Sequence, residues 1–147
     1  MKQSQGMLNI KTLGQGLTEI TRDVDDWIQR KDISIGLLTI YIRHTSASLV
    51  VQENADSAVL NDLGKFFKNL VPEDIALYSH TAEGPDDMPA HIKSALTETS
   101  LSIPINDNCM VLGTWQGIFL FEHRARPHLR EIVLHVIGDS KDNLSSR

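Results

Sequence analysis

The stretch Ile-Gly-Leu-Leu-Thr-Ile-Tyr-Ile-Arg-His-Thr-Ser-Ala-Ser-Leu-Val-Val-Gln-Glu, residues 35–53, predicts two consecutive strands joined by a short corner. Its first nine residues are rich in β-branched and aliphatic side chains and predict a buried strand at 35–43. A small polar corner follows, and the apolar residues after it predict a second strand at 49–53. Because side chains alternate across a strand, His44 belongs to the apolar face of the first strand, at the point where that strand leaves the core.

Amphipathic segments and apolar runs alternate irregularly in the rest of the chain. Apolar residues at three- and four-residue steps predict helices at 17–30 and 56–70, and a third helix is capped by Asp86 or Asp87 and ends near Thr99. Further strands are predicted at 7–13, 101–105, 110–114, 117–122 and 131–137, the last two apolar on both faces and therefore buried. Helices inserted among strands favour the α+β class, an antiparallel β-sandwich-like core with about three inserted helices. We expect one domain at 1–138 and a polar, frayed tail at 139–147.

Composition and charge exclude several classes of protein. The 147 residues are 41% hydrophobic and 22% charged, as in an ordinary globular domain. The net charge is −5 and no basic run exceeds two adjacent residues, which disfavours nucleic-acid binding. The sequence lacks a signal-peptide core and an apolar run of membrane-spanning length, so a cytoplasmic protein that does not bind membranes is predicted. A single cysteine, Cys109, excludes an intrachain disulfide, and its apolar neighbours predict a buried thiol.

The segment at 80–93, His-Thr-Ala-Glu-Gly-Pro-Asp-Asp-Met-Pro-Ala-His-Ile-Lys, concentrates reactive side chains. Its Gly-Pro turn precedes a helix start, where partial positive charge favours an anion. The two histidines, His80 and His91, are able to hold a cation beside it. The alternative is a polar surface loop before a capped helix, because an eleven-residue separation matches no short zinc motif.

Three imidazoles, His44, His80 and His91, form a candidate site for a catalytic divalent metal with an open position. The nearby carboxylates of Glu83, Asp86 and Asp87 are able to add a ligand, to orient an imidazole or to accept a proton. For His44 the alternative is a satisfied histidine at the edge of the core. His135, inside a predicted strand, is interpreted as a core histidine rather than a ligand.

Two other segments carry candidate binding residues. Trp115 lies between glycines in a predicted turn, where its ring is either a flat wall for a heterocycle or an edge-packing side chain. The locally basic segment 122–130, if extended, places Glu122 and Arg124 on one side, where a guanidinium is able to bind phosphate. The alternative for that segment is a solvated connection. No serine-nucleophile elbow, Walker A sequence or dinucleotide fingerprint is present.

Several motifs taken in order resemble the YjbQ-like family, whose members carry the label secondary thiamine-phosphate synthase. They are His44-Thr-Ser-Ala-Ser, Gln52-Glu-Asn54, the segment 80–93, Gly113-Thr-Trp-Gln-Gly-Ile118 and Glu122-His-Arg124. The resemblance runs over residues 5 to 138. It implies a compact, sandwich-like α+β subunit, a homotrimer with a pocket near the subunit contacts, and a histidine-bound divalent metal, with zinc the first choice.

Carried over by position, the resemblance assigns three groups of residues. The metal ligands are His44, His80 and His91, the catalytic group is Glu83, Asp86, Asp87, Lys93 and Glu122, and the substrate-binding group is Asn54, Trp115, Gln116 and Arg124. Gln52 stands where the family pattern has Asn. The implied function is a metal-binding trimeric enzyme acting on a phosphorylated heterocycle, nominally a weak and promiscuous thiamine-phosphate synthase. The alternative is a non-catalytic module that captures a metal or small anion, and a third hypothesis makes the histidines purely structural.

Overall fold

Two antiparallel sheets and four α-helices make up the computed structural model, which describes residues 1–145. The strands are β1 (Lys2–Lys11), β2 (Gly16–Glu19), β3 (Ile35–Ile42), β4 (Ala47–Glu53), β5 (Ser100–Asn106), β6 (Cys109–Met110), β7 (Gln116–Glu122) and β8 (Leu129–Asp139). The α-helices are α1 (Thr21–Gln29), α2 (Ser57–Leu70), α3 (Asp87–Leu96) and α4 (Lys141–Ser145), and a 3₁₀ helix covers Ile75–Leu77. The large sheet has the order β1-β8-β3-β5-β6, and the small sheet has the order β2-β7-β4.

The core lies between the two sheets because each contributes an alternating apolar face. In the large sheet, Ile40 of β3 pairs with Leu134 of β8, and both are fully buried. In the small sheet, Leu49 of β4 pairs with Leu120 of β7, and both are also fully buried. Helix α1 adds its apolar stripe to the same cluster. This arrangement confirms the predicted α+β class with an antiparallel, sandwich-like core.

Helices α2 and α3 lie on the side of the small sheet that faces away from the large sheet. Phe67 of α2 packs edge-to-face on Phe121 of β7, with ring centroids 5.4 Å apart, and α3 contacts β4. Strand β7 is therefore buried on both faces, as its sequence predicts. The outward face of the large sheet, in contrast, leaves Leu37 and Tyr41 exposed at 43% and 48%.

The structure corrects the predicted helix at 17–30. Its first residues form β2, which pairs with β7 in the register Leu17 to Phe121, and α1 begins only at Thr21. Gly14 and Gly16 both have positive φ, which turns the chain into the sheet. Strand pairing therefore overrides the helical spacing of the apolar residues in this segment.

Other boundaries also differ from the prediction. The strand predicted at 110–114 is only a two-residue edge strand, and Cys109 in it is exposed rather than buried because it follows a turn at the sheet edge. Strand β8 is buried on one face only, so His135 on its other face is half-buried and contacts the Gln5 side chain. The apolar stripe of α2 has no fully buried member. Where a frayed tail was predicted, β8 extends to Asp139 and α4 follows, while residues 146 and 147 lie outside the described range.

Candidate functional site

Helix α3 begins after a tight turn that directs two carboxylates towards Arg124. Gly84 has φ 108°, a conformation that favours glycine, and it precedes Pro85. Asp86 occupies the N-cap position, but its carboxylate accepts hydrogen bonds from Arg124 Nε and Ala125 N, both at 2.9 Å, instead of capping the helix. Burial acts to raise the pKa of Asp86, but these hydrogen bonds outweigh it and hold the pKa below its usual value.

Asp87 is the centre of the candidate site and is only 2% exposed. His80 Nε2 donates to its Oδ2 at 2.6 Å, and His91 Nε2 lies 3.4 Å from the same oxygen. Its other oxygen, Oδ1, lies 2.9 Å from Arg124 Nη1. Asp87 and His91 face the same way because four residues separate them along the helix. One ligand atom from each of His80, Asp87 and His91 lies within 4.8 Å of the others, and we call these three residues the metal cluster.

The hydrogen bonding of His91 suits a metal ligand. Its Nδ1 lies 2.9 Å from the carbonyl oxygen of Thr45, which is only able to accept, so Nδ1 carries the proton. In the neutral ring, Nε2 then has a free lone pair on the side of Asp87. A backbone carbonyl that fixes the tautomer in this way is typical of histidines that bind metal. The donor set of two imidazoles and one carboxylate fits zinc and other divalent transition metals.

His44, the third predicted imidazole, lies outside the metal cluster. Its Nε2 accepts a hydrogen bond from the backbone N–H of Glu131 at 2.8 Å. Burial, followed by the charge of Arg130, lowers the pKa of His44. Its one lone pair is therefore occupied in this conformation. His44 does share a cavity of about 420 Å³ with His91 and Tyr41, but Asp87 takes the third position in the geometry.

Arg124 is fully engaged with the protein. Besides its contacts to Asp86 and Asp87, its Nη2 donates to the backbone carbonyl of Glu83 at 3.0 Å. The hydrogen bond to Asp86 raises the pKa of the guanidinium further. The Glu83 side chain itself is 67% exposed and lies 3.9 Å from Nη1. In this arrangement Arg124 orients carboxylates, which differs from the predicted role of a free phosphate-binding fork.

Glu122, predicted as a catalytic group, forms a buried ion pair with Arg130. It is 1% exposed, and Arg130 binds its carboxylate through both Nε, at 2.9 Å, and Nη2. Thr12 Oγ1 donates to the same carboxylate at 2.7 Å. Burial acts to raise the pKa of Glu122, but Arg130 and Thr12 outweigh it, so the pKa is lowered. The carboxylate is held ionised and links β7 to β8 and to the end of β1.

Lys93 and His123 lie next to each other beneath α2. Lys93 is 4% exposed, and burial lowers the pKa of its amino group, an effect that Glu73 opposes and Lys68 reinforces. His123 is 1% exposed, and burial, together with the charges of Lys93 and Arg130, lowers its pKa to about 3. Sequence reasoning left His123 out of the site. The signal that could have found it is its position directly after the apolar run that ends β7.

The predicted substrate-binding residues Asn54, Trp115 and Gln116 gather at the opposite end of the small sheet. Glu53 pairs with Gln116, whereas Ala47 pairs with Glu122, and six residue steps along a strand span about 20 Å. There Asn54 Nδ2 donates to Glu19 at 3.0 Å, Gln116 Oε1 accepts from Gly113 N at 2.8 Å, and Trp115 is 62% exposed. A single chain does not bring these residues to the metal cluster.

The fold and site together define an α+β sandwich subunit with a candidate metal cluster at the start of one helix. The family model described as UPF0047 protein YjbQ-like matches residues 7–139, and the chain belongs to this family. A UPF0047 protein from Synechocystis is 53% identical over 94% of both chains. The UPF0047 protein YjbQ of Escherichia coli O157:H7 is 38% identical, over 92% of this chain and 98% of its own.

Solved structures support the same fold. A conserved hypothetical protein from Thermus thermophilus superposes with a TM-score of 0.80 at 32% identity, over 90% of this chain and 99% of its own. A YbjQ-like protein of unknown function from Sulfolobus solfataricus gives a TM-score of 0.82 at 21% identity, over 94% of this chain and 100% of its own, and shows the fold alone. Among residues 1–145, no helix has the length and apolar character needed to cross a membrane.

Proposed function

We propose that the protein is a cytoplasmic, metal-dependent enzyme that acts on a phosphorylated heterocycle, with thiamine-phosphate synthesis as its nominal reaction. The observation that carries the proposal is the buried Asp87 carboxylate, which lies between the imidazoles of His80 and His91. A carboxylate buried to this degree needs positively charged or hydrogen-bonding partners. The His80 imidazole and the Arg124 guanidinium supply them, and the donor set of His80, Asp87 and His91 fits a divalent ion, with zinc the first choice.

In this proposal each residue of the site has a defined task. His80, Asp87 and His91 hold the metal, Thr45 fixes the tautomer of His91, and Arg124 fixes the orientation of Asp87. The bound metal supplies positive charge where a phosphate or diphosphate leaving group develops negative charge. In the nominal reaction, the thiazole nitrogen forms a bond to the pyrimidine methylene carbon while the bond from that carbon to the diphosphate oxygen breaks.

The test is turnover by zinc-loaded protein, measured as diphosphate release from hydroxymethylpyrimidine diphosphate in the presence of the thiazole phosphate. Asp87→Asn keeps the size of the side chain but removes its charge, and we expect turnover to fall by about 100-fold or more. His135→Ala is the matched control, since this half-buried histidine lies on β8, outside the cluster. Equal turnover in the parent and in Asp87→Asn would contradict the proposal.

The proposal includes a homotrimer whose subunits share the site. The exposed outward face of the large sheet carries Leu37 and Tyr41, and Tyr41 also lines the cavity of His44 and His91. A neighbour seated there would close that cavity, and head-to-tail contacts of this kind form closed rings. If the neighbour presents the end that bears Trp115, the two separated groups of predicted residues meet.

Mixed oligomers test the shared site. His91→Ala and Trp115→Ala subunits are each expected to be inactive alone, because each lacks one half of every site. When the two variants are mixed and reassembled, some sites combine an intact His91 with a neighbour's intact Trp115, so part of the parent turnover returns. Mixtures that stay inactive, although they assemble, would contradict a site shared in this way.

A non-catalytic metal- or anion-binding module is the second candidate. One observation favours it. Glu122 and Arg124, both predicted to act on substrate, already form ion pairs with other side chains of the same chain. This candidate predicts stoichiometric metal in the parent and no turnover of the phosphorylated pyrimidine. The diphosphate-release assay on zinc-loaded protein therefore separates the two candidates.

A further inference from the structure

A second cavity, of about 350 Å³, lies beneath α2 and is separate from the metal cluster. Lys65 and Lys68 of α2 line one side, and Lys93 of α3 and His123 line the other. We call this cavity the lysine cleft. Its remaining walls are largely apolar and include Leu17, Leu60, Phe67 and Phe121. Its size is within the range of cavities that hold small ligands.

Lys93 is the first reason to regard the lysine cleft as a binding site. The residue is 4% exposed, yet its ammonium group has no ion pair or hydrogen bond to a side chain or backbone group within residues 1–145. Glu73, the acidic residue with the largest effect on the pKa of Lys93, accepts a hydrogen bond from Gln15 at 2.8 Å. Lys93 Nζ is not fully enclosed and Lys93 lines the cleft, so a bound anion would pair directly with its charge.

His123 is a second, independent observation. It is 1% exposed, and its Nε2 lies 2.8 Å from Ser48 Oγ. Its Nδ1 is buried and has no hydrogen-bond partner in the described part of the chain. Unpaired buried polar atoms are uncommon in folded proteins and call for a specific explanation. His123 lines the lysine cleft together with Lys93, so a polar group bound there would lie close to both side chains.

The geometry of α3 separates the lysine cleft from the metal cluster. Successive residues of an α-helix are rotated by about 100° around the axis. Lys93 follows His91 by two residues and therefore points to nearly the opposite side of the helix. Consistent with this, the lining of the lysine cleft includes none of His80, Asp87 and His91.

We propose that the lysine cleft binds a phosphate monoester with a small apolar or aromatic body. Lys65, Lys68 and Lys93 place three positive charges around one cavity, which suits a phosphate dianion better than a singly charged carboxylate. The one acidic side chain in the lining, Glu122, is already neutralised by Arg130. Phe67 and Phe121 provide the apolar surface for the body of the ligand. This inference does not depend on metal binding by the metal cluster.

The test titrates phenyl phosphate, benzoate and benzyl alcohol into chelator-treated protein and measures heat of binding and melting temperature. We expect phenyl phosphate to bind at least tenfold more tightly than benzyl alcohol, with benzoate between them, and to raise the melting temperature. Lys93→Met is expected to weaken phenyl phosphate binding at least tenfold, whereas the exposed control Lys11→Met leaves it unchanged. Equal binding by the parent and Lys93→Met, or no binding of phenyl phosphate by the parent, would overturn the proposal.

Two further variants keep the result decisive. Lys65→Met combined with Lys68→Met changes exposed residues only, so it tests the cleft even if Lys93→Met fails to fold. This double variant should weaken phenyl phosphate binding several-fold, and unchanged affinity would overturn the proposal. His91→Ala should retain full phenyl phosphate binding. Loss of binding in His91→Ala instead would place the anion at the metal cluster and would also overturn it.

Discussion

At the level of single residues, two buried carboxylates illustrate how partners determine the role of a charge. Asp87 contacts two imidazoles and Arg124, whereas Glu122 forms a two-point ion pair with Arg130. The partners of each buried carboxylate replace the water that it loses on folding, and for Glu122 they also hold the pKa below its usual value. A carboxylate is therefore a candidate metal ligand at Asp87 and a structural link between strands at Glu122.

Removing one partner of the Glu122 pair tests its structural role. Arg130→Met leaves the Glu122 carboxylate buried without its cation, and we expect the free energy of unfolding in urea to fall by about 3–5 kcal/mol. The exposed control Arg126→Met should change it by less than about 0.5 kcal/mol. A small effect of Arg130→Met would show that Glu122 is not held by this pair.

The pH dependence of stability tests the burial of His123. Its folded pKa is lowered from 6.5 to about 3, so between these values the unfolded chain binds a proton that the folded chain does not. Stability therefore falls as pH drops through this window, by up to about 1.4 kcal/mol per pH unit from this one residue. His123→Gln removes the contribution, and the slope of unfolding free energy between pH 6 and pH 4 should become shallower.

The matched control for this measurement is His135→Gln on the outward face of β8, which makes the same replacement outside the core. Only slopes are compared, because His123→Gln also changes the contact with Ser48. If the parent and His123→Gln have the same slope, His123 is not kept neutral by burial.

At the level of secondary-structure elements, strands β3 and β8 approach each other closely at a pair of glycines that face each other. Gly36 pairs directly with Gly138. A Cβ on Gly138 would collide with the carbonyl oxygen of Ile35 and lie 2.6 Å from Gly36 Cα. Backbone atoms are unable to move aside as a flexible side chain does, so only glycine fits this crossing.

Gly138→Ala should therefore lower the free energy of unfolding by about 1–3 kcal/mol, the usual cost of overpacking. Gly64 in the middle of α2 is the contrasting position, since an added Cβ there meets nothing within 4 Å. Gly64→Ala should raise stability by about 0.5–1 kcal/mol through helix propensity. Urea unfolding of both variants checks the pair, and a tolerated Gly138→Ala would contradict the close approach.

The success of sequence prediction also differs between elements. Strands β3 and β7 and helix α2 were predicted within two residues at each end, because a strong apolar period and a clear stop signal define them. The segment at 17–19 was predicted wrongly because its pairing with β7 is a long-range contact that local spacing does not reveal. The alternation that placed His44 at the end of a strand was sound, but its contact with Glu131 of β8 is likewise long-range.

The candidate site shows the same limit. The segment at 80–93 contains His80, Asp87 and His91, which lie together in the structure because the helix places Asp87 and His91 four residues apart. The position of Trp115, at the end of β7 opposite to Glu122, follows from strand register, which the sequence does not provide. Lys93 and His123 meet only because α3 crosses the end of the small sheet.

At the level of the whole molecule, the outward face of the large sheet leaves several apolar side chains exposed. Its exposed apolar residues include Met7, Ile35, Leu37, Tyr41 and Ile137. Several exposed large apolar side chains on one face are a feature that subunit interfaces share. It also borders the cavity that contains His91, through Tyr41. The proposed homotrimer therefore connects assembly to the site.

Light scattering coupled to size-exclusion chromatography tests the assembly. We expect the parent to have three times the 16.4 kDa mass of one chain. Leu37→Lys combined with Tyr41→Lys places two charges on the outward face and should yield single chains, because charges are depleted at interface cores. Leu13→Lys, at a 93% exposed loop position, should remain trimeric. A monomeric parent, or a trimeric double variant, would contradict this interface.

Metal content of the purified chain is the measurement that shows whether His80, Asp87 and His91 bind zinc. Protein prepared without an affinity tag or chelator, then incubated with zinc and desalted, is measured by elemental analysis beside Asp87→Asn and His44→Ala. We expect about one zinc per chain in the parent and in His44→Ala, and none in Asp87→Asn. The reason is that Asp87, rather than His44, completes the cluster with His80 and His91. A parent that binds no zinc, or an Asp87→Asn variant that binds as much as the parent, would contradict it.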